Sequence, residues 1–219
     1  KQKTAYEIMP SLVGSEMCIR DREGERSASS HSLTLNRPLR IKRWNEKTIS
    51  VDGTPTDCVL IGVHRILPRQ PDLLVSGINH GPNLGDDVTY SGTVAAAMEG
   101  TLLGIPSVAI SLIDWQRGSF AYAARFASQL VERLSTIGLP RNTFLNVNIP
   151  DLPEEEIEGV EITRLGRRIY LDPVVEEVDP QGQVYYCIGG KRCVGNDEFG
   201  TDFGAIDRNL ISITSRHLD

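Results

Sequence analysis

The sequence predicts an α/β fold, a Rossmann-like doubly wound and mostly parallel sheet with a smaller β-rich C-terminal appendage. Three observations predict it. Short apolar runs at Leu73–Ser76, Val108–Leu112 and Phe144–Ile149 alternate with longer helical patterns. Strand–helix–strand alternation builds parallel strands with helices on both faces. After Pro150 the helical pattern gives way to β-type stretches at Val160–Arg164, Gln183–Ile188 and Leu210–Thr214.

The first residues are set apart from this fold. Lys1–Glu7 and Leu12–Asp21 can both be written in the codons of a transposase-type sequencing adapter, in one frame and at the adapter's spacing. Residues 1–22 are therefore expected to be a non-native adapter-like segment, without the charge-then-apolar order of a signal peptide. Residues 23–219 are expected to form one domain, with a core over 23–150 and a β-rich extension over 151–219. About 197 residues suffice for one core that buries roughly 70% of the unfolded surface.

Each element has a local reason. Leu39–Trp44 and Thr48–Val51 alternate apolar and polar residues and read as a hairpin turning at Asn45-Glu46. Gly53-Thr54-Pro55-Thr56-Asp57 opens a helix over Cys58 to about Leu67, capped by Thr56 or Thr54, and Pro68 and Pro71 end it. Leu73–Ser76 is a strand. Gly92–Leu103 is a helix with Gly104 just past its end. Val108–Leu112 is the next strand. Ser119 caps a helix reaching Ile137, with Ala123, Phe126, Leu130 and Leu134 on one face. Phe144–Ile149 is a strand ended by Pro150. Turns follow at Asp179-Pro180 and Gly189-Gly190, and Glu154-Glu155-Glu156 reads as a solvated turn.

Composition narrows the function classes. The chain carries a net charge of −6, and −7 once residues 1–22 are set aside. An acidic domain does not hold nucleic acid on a general basic surface, so nucleic acid is not an expected partner. No apolar run approaches the ~20 residues of a membrane span, so no membrane partner is expected. Cys58, Cys187 and Cys193 lack metal or disulfide spacing and suit a reducing cytoplasm. His31, His64, His80 and His217 show no metal-binding spacing either.

The chemistry concentrates in SGINHGPNLGDDVTYSGTVAAAMEG, residues Ser76–Gly100. A loop that leaves the carboxyl end of a buried strand and feeds a helix N-terminus is where open α/β sheets bind anions. Asn79 follows the strand end, and its amide oxygen suits a hard cation or, equally, an Asx turn in its own loop. Asn83 is a similar case. Ser91-Gly92-Thr93 offers backbone N–H groups and hydroxyls to an anion, or serves as an ordinary helix cap. Gly77, Gly81 and Gly85 permit close backbone approach. The loop has neither GxxxxGK[ST] nor GxGxxG, so nucleotide P-loop and dinucleotide readings have no support. Asp86-Asp87 reads as loop hydrogen bonding in preference to cation ligation.

With RSASSHSLTL (26–35), GTPTDCV (53–59), LNVNIP (145–150) and GTDFGAID (200–207), this block resembles the survival protein E (SurE) family of metal-dependent 5′/3′-nucleotidases. The resemblance runs from Arg26 to the C-terminus. It implies a phosphatase that hydrolyses nucleoside 5′- or 3′-monophosphates with one divalent cation, Mg²⁺ or Mn²⁺. It places metal ligands at Ser27 and Asn79, and phosphate contacts at Asn83, Ser91, Gly92 and Thr93. It also implies a homodimer or homotetramer. The family's adjacent Asp pair, in an Asn-Asp-Asp-Gly motif on a first strand, has no counterpart before Ser27, so no catalytic carboxylate is assigned. Little or no activity is expected of this chain. The alternatives are a non-catalytic phosphate- or nucleotide-binding module, an inactive fragment, and an exopolyphosphatase or general phosphomonoesterase.

Overall fold

The computed structural model describes residues 18–20, 30–113, 120–170, 174–188, 193–195 and 198–218. Its centre is a five-stranded sheet. β4 (Leu74–His80), β5 (Ser107–Ile113) and β6 (Thr143–Pro150) are parallel. β12 (Leu210–His217) runs antiparallel to β6, and β7 (Gly159–Thr163) runs parallel to β12. The strand order is β4-β5-β6-β12-β7.

Helices cover both faces, as the strand–helix alternation requires. Every residue of β5 and β6 is buried. Side chains alternate across a strand, so Val108, Ile110 and Leu112 meet Ala123, Ala127 and Leu134 of α3 (Phe120–Ile137). From the opposite face Ala109 and Phe144 meet Val94 and Ala97 of α2 (Gly92–Leu102). The Ala-rich face of α2 brings its backbone close to the sheet. A Cβ on Gly100 would lie 2.4 Å from Ser107 Oγ.

Outside the main sheet, β2 (Ile41–Arg43) and β3 (Thr48–Val51) form the predicted hairpin. β1 (Cys18–Arg20), within the segment that the sequence sets aside, pairs parallel with β3. β8 (Arg168–Tyr170) pairs with β11 (Cys193–Gly195), and β9 (Val174–Val178) pairs with β10 (Val184–Ile188). The Asp179-Pro180 turn closes the second hairpin, with Asp179 N–H donating to Gln183 C=O at 2.9 Å.

The structure differs from the sequence reading at three boundaries. α1 covers Pro55–Ile61 and passes into a π-turn at Gly62–Ile66, so it starts three residues early. Thr54, one of the two candidate caps, closes a capping box with Asp57, and proline at the first helical position needs no N–H partner. β4 continues past Ser76 to His80, with a register shift between Ser76 and Asn79. The C-terminal β-rich stretch divides: β7 and β12 extend the core sheet, while the antiparallel pair β8/β11 and the β9–β10 hairpin stand apart from it. Ser119 and Gly189-Gly190 lie outside the described residues.

Candidate phosphate site

Asn79 sits near the carboxyl end of β4, inside the strand and not after it. Gly77, two residues earlier, has φ +126°, and a Cβ there would lie 2.3 Å from Ile110 C=O. Glycine thus lets β4 bend against β5 while the chain carries Asn79 to the sheet edge. The Asn79 side chain is half-buried and oriented: its Nδ2 donates to Gly81 C=O at 2.9 Å. Thr93 Oγ1 lies 3.4 Å from Asn79 Oδ1 and donates to it. The Asn79 amide thus gives its nitrogen to its own loop and its oxygen to the start of α2.

Ser91 caps α2. Its backbone is extended, and its Oγ accepts from Val94 N–H at 3.2 Å. Gly92 and Thr93 occupy the first turn, where backbone N–H groups have no helical acceptor. The helix dipole adds partial positive charge at the same point. Thr93 is buried, and Ser91 and Gly92 are half-buried.

The connecting loop is tied down along its length. Gly81 N–H donates to Leu112 C=O at 2.8 Å. Asn83 N–H donates to Asn148 Oδ1 at 2.9 Å, and Asn83 C=O accepts from Asn146 Nδ2 and Asn148 Nδ2 at 2.8 and 3.0 Å. Asn83 Nδ2 donates to Ser111 Oγ at 2.7 Å. Gly85 N–H donates to Asp202 Oδ2 at 2.7 Å. Asp87 pairs with Arg168, and Asp86 C=O accepts from Thr89 Oγ1 at 2.7 Å. The sequence favours loop and helix-start hydrogen bonds for the two aspartates; Asp87 instead makes an ion pair, and the Asp86 contact is made by its backbone carbonyl.

Two buried carboxylates brace the surroundings. Asp202 opens α4 (Asp202–Asp207) and accepts from Gly85, Gly166 and Phe203 N–H groups. Burial raises its pKa above the usual carboxylate range, and those N–H donors offset part of the rise. Asp57 accepts from Thr34 N–H at 3.0 Å and Thr54 N–H at 2.8 Å. Burial alone would raise its pKa, but the hydrogen bonds with Thr34 and Thr54 together lower it.

Of the residues singled out in the sequence, Asn79 and Thr93 meet directly, and Ser91 and Gly92 adjoin Thr93 in the helix start. Asn83 lies inward: it is 6% exposed and one of its amide hydrogens serves Ser111. Ser27 lies outside the described residues. Three residues after it, Ser30 N–H donates to Tyr90 C=O at 3.0 Å and Ser30 Oγ to Thr89 C=O at 2.9 Å. His31 Nε2 lies 2.7 Å from Glu99 Oε2 on α2. Asn146, Asn148 and Asp202 carry no role in the sequence reading, although they fall in LNVNIP and GTDFGAID. The available signal was two asparagines at alternate positions of an apolar strand, where polar side chains need a buried partner.

Known proteins resemble this chain in sequence and in fold. The profile of the family described as Survival protein SurE matches residues 11–172. The 5′-nucleotidase SurE of Pelobacter propionicus is 55% identical over 196 residues, covering 89% of this chain and 79% of that protein. The 5′-nucleotidase SurE of Geobacter sulfurreducens is 54% identical, covering 89% of this chain and 75% of that protein. The crystal structure of the SurE protein from Aquifex aeolicus superimposes with a TM-score of 0.77 at 42% identity, covering 88% of this chain and 79% of that one. With a matching profile over most of its length and close relatives across nearly all of it, the chain belongs to the SurE family.

Proposed function

We propose that this chain carries the phosphate-binding half of a nucleotidase that hydrolyses nucleoside 5′- and 3′-monophosphates. The carrying observation is the contact of Thr93, at the N-terminus of α2, with Asn79 at the end of β4. An oxyanion at that point meets the Gly92 and Thr93 N–H groups, the Ser91 and Thr93 hydroxyls and the helix dipole. Asn83 adds its remaining amide hydrogen. The names of the relatives, 5′-nucleotidase SurE, support the substrate class.

Family resemblance implies Mg²⁺ or Mn²⁺ at Ser27 and Asn79. Ser30, three residues after Ser27, bonds to Tyr90, the residue before the Ser91 cap. Both candidate ligands are neutral oxygens, and a hard dication needs carboxylates to offset its desolvation. Among the described residues, no three His, Cys, Asp or Glu side chains converge as a metal site. The described residues therefore do not by themselves fit the cation, and the roles given to this chain stop at holding and orienting the phosphoryl group.

The test is phosphate release from nucleoside 5′- and 3′-monophosphates with Mg²⁺ or Mn²⁺. The 219-residue chain is expected to show little or no turnover. Chelator-sensitive turnover at ordinary enzymatic rates would overturn that expectation. A chain carrying a strand with Asn-Asp-Asp-Gly ahead of Glu23 is expected to regain it. Failure of that chain across both substrate types would overturn the nucleotidase reading itself, and turnover of polyphosphate alone would move it to a polyphosphatase.

Two further features belong to this reading. The β9–β10 hairpin exposes Val178, Val184, Tyr186 and Ile188, which suits burial against a second copy in a homodimer or homotetramer. The unoxidised thiols of Cys58 and Cys187 suit a cytoplasmic location. Among the described residues, no helix is long and apolar enough to cross a membrane.

A further inference from the structure

The structure assigns Asn146 and Asn148 as the positioning residues of the phosphate cradle, acting through the backbone of Asn83. The assignment rests on the phosphate-binding reading of Ser91–Thr93.

Both asparagines are fully buried in β6, at alternate positions among Leu145, Val147 and Ile149. Alternation puts them on one face of the sheet, beside Ser111 of β5, the register partner of Asn148. A buried amide costs free energy unless its donors and acceptor are used. Asn148 spends both ends on one residue: its Oδ1 accepts the Asn83 N–H and its Nδ2 donates to the Asn83 C=O. Asn146 Nδ2 donates to that same carbonyl. The Asn83 backbone is thus held as a neighbouring strand would hold it, but by side chains. Ser111 holds the Asn83 side chain as well.

Packing alone does not account for this arrangement. A loop that had only to cover the sheet could do so with apolar residues and no buried amides. Instead Asn146 Oδ1 is buried with no hydrogen-bond partner among the described residues, in the central strand of the sheet, where an unused acceptor costs free energy. What the amides achieve is registration. Asn83 lies between Asn79 and the Ser91–Thr93 helix start, and its backbone cannot slide along β6 without breaking three hydrogen bonds. The spacing between the Asn79 amide oxygen and the N–H groups of α2 is set by this fixed point. Preorganised donors of this kind avoid reorganisation when an anion arrives.

The test uses the full chain with inorganic phosphate as the probe. Phosphate binding is read from the backbone amide resonances of Gly92 and Thr93, and the clamp from hydrogen exchange at Asn83 N–H. Asn148→Asp keeps the acceptor for Asn83 N–H but loses the donor to its carbonyl. At about pH 8 it is expected to weaken phosphate binding about tenfold relative to the parent chain and to speed exchange at Asn83. A buried carboxyl titrates high, so by about pH 5 its O–H replaces the lost donor and the ratio to the parent returns toward one. Ser111, Asn146 and Ser212, which surround the site, do not titrate. Asp202, on the helix packed against β6, is common to both chains and cancels in the ratio. Asn146→Ser removes a single donor, is expected to cost about threefold, and serves if the aspartate variant does not fold. Parent amides at Gly92 and Thr93 that ignore phosphate would overturn the phosphate reading, and the positioning role with it. A parent that binds, with variants that bind equally well or at a ratio unchanged across pH, would overturn the positioning role alone.

Discussion

Asp202 Oδ2 accepts a hydrogen bond from the backbone N–H of Gly85 at 2.7 Å, across 117 residues of chain. Its other oxygen accepts from Gly166 at 2.7 Å and from Phe203 at 2.9 Å. One side chain from the C-terminal quarter therefore ties the cradle loop to the segment that leads into β8. Three N–H donors converge on two acceptor oxygens in a fully buried position. An asparagine at this position could accept on one side only, and its amide would face an N–H group on the other. Asp202→Asn is expected to lower stability by about 2 kcal/mol, read from urea unfolding with the slope unchanged. Loss below a few tenths of that figure would show that the loop holds its place without the carboxylate.

Asp57 gives the stability a defined pH dependence. Its folded pKa lies below the ordinary aspartate value of 3.8. A carboxylate with a depressed folded pKa contributes stability above its unfolded value, and the contribution disappears as pH falls through the folded value. The difference in unfolding free energy between the parent and Asp57→Asn is therefore expected to be full near neutrality, at about 1–2 kcal/mol. It should shrink as pH drops below about 4. A difference that stays constant down to the acid transition would remove the charge from the argument and leave only the shape of the capping box.

Parts of this architecture were open to sequence reading because their causes are local. Ser91 and Gly92-Thr93 announce a capped helix start, and the apolar run before Ser76 announces a strand aimed at it. Asn79 follows from both. The end of β4 was not legible, because Gly77 and Asn79 suggest a loop by propensity while pairing with β5 overrides it. Asn146, Asn148 and Asp202 were not legible as site residues. Their partners lie 63, 65 and 117 residues away, and no local pattern specifies which loop a buried amide or carboxylate will hold.

Gly77 tests how much the bend in β4 matters. At φ +126°, with Ile110 C=O 2.3 Å from where a Cβ would stand, alanine meets both backbone strain and a clash with a neighbouring strand. Gly77→Ala is expected to destabilise by about 3 kcal/mol or more, with loss of soluble protein at elevated temperature. Gly104, also at positive φ but with nothing within 4 Å of a Cβ, should lose only about 1 kcal/mol on the same change. Equal losses at the two sites would mean that the strand contact contributes nothing.

Ser91 and Thr93 separate the capping role from the proposed binding role. Ser91 Oγ accepts from Val94 N–H, so Ser91→Ala is expected to cost about 1 kcal/mol of stability. Thr93 Oγ1 makes a long contact of 3.4 Å with Asn79 Oδ1 and supports little of the fold. Thr93→Val preserves the shape of the side chain while removing a donor from the anion position. It is expected to leave the unfolding free energy within about 1 kcal/mol of the parent and to weaken inorganic phosphate binding about tenfold. The two variants should thus move different observables, melting for Ser91 and phosphate titration for Thr93. If Thr93→Val lost stability while binding phosphate as well as the parent, the hydroxyl would be a packing and hydrogen-bonding element of β4 and α2, and the helix start would have to hold its anion through backbone N–H groups alone.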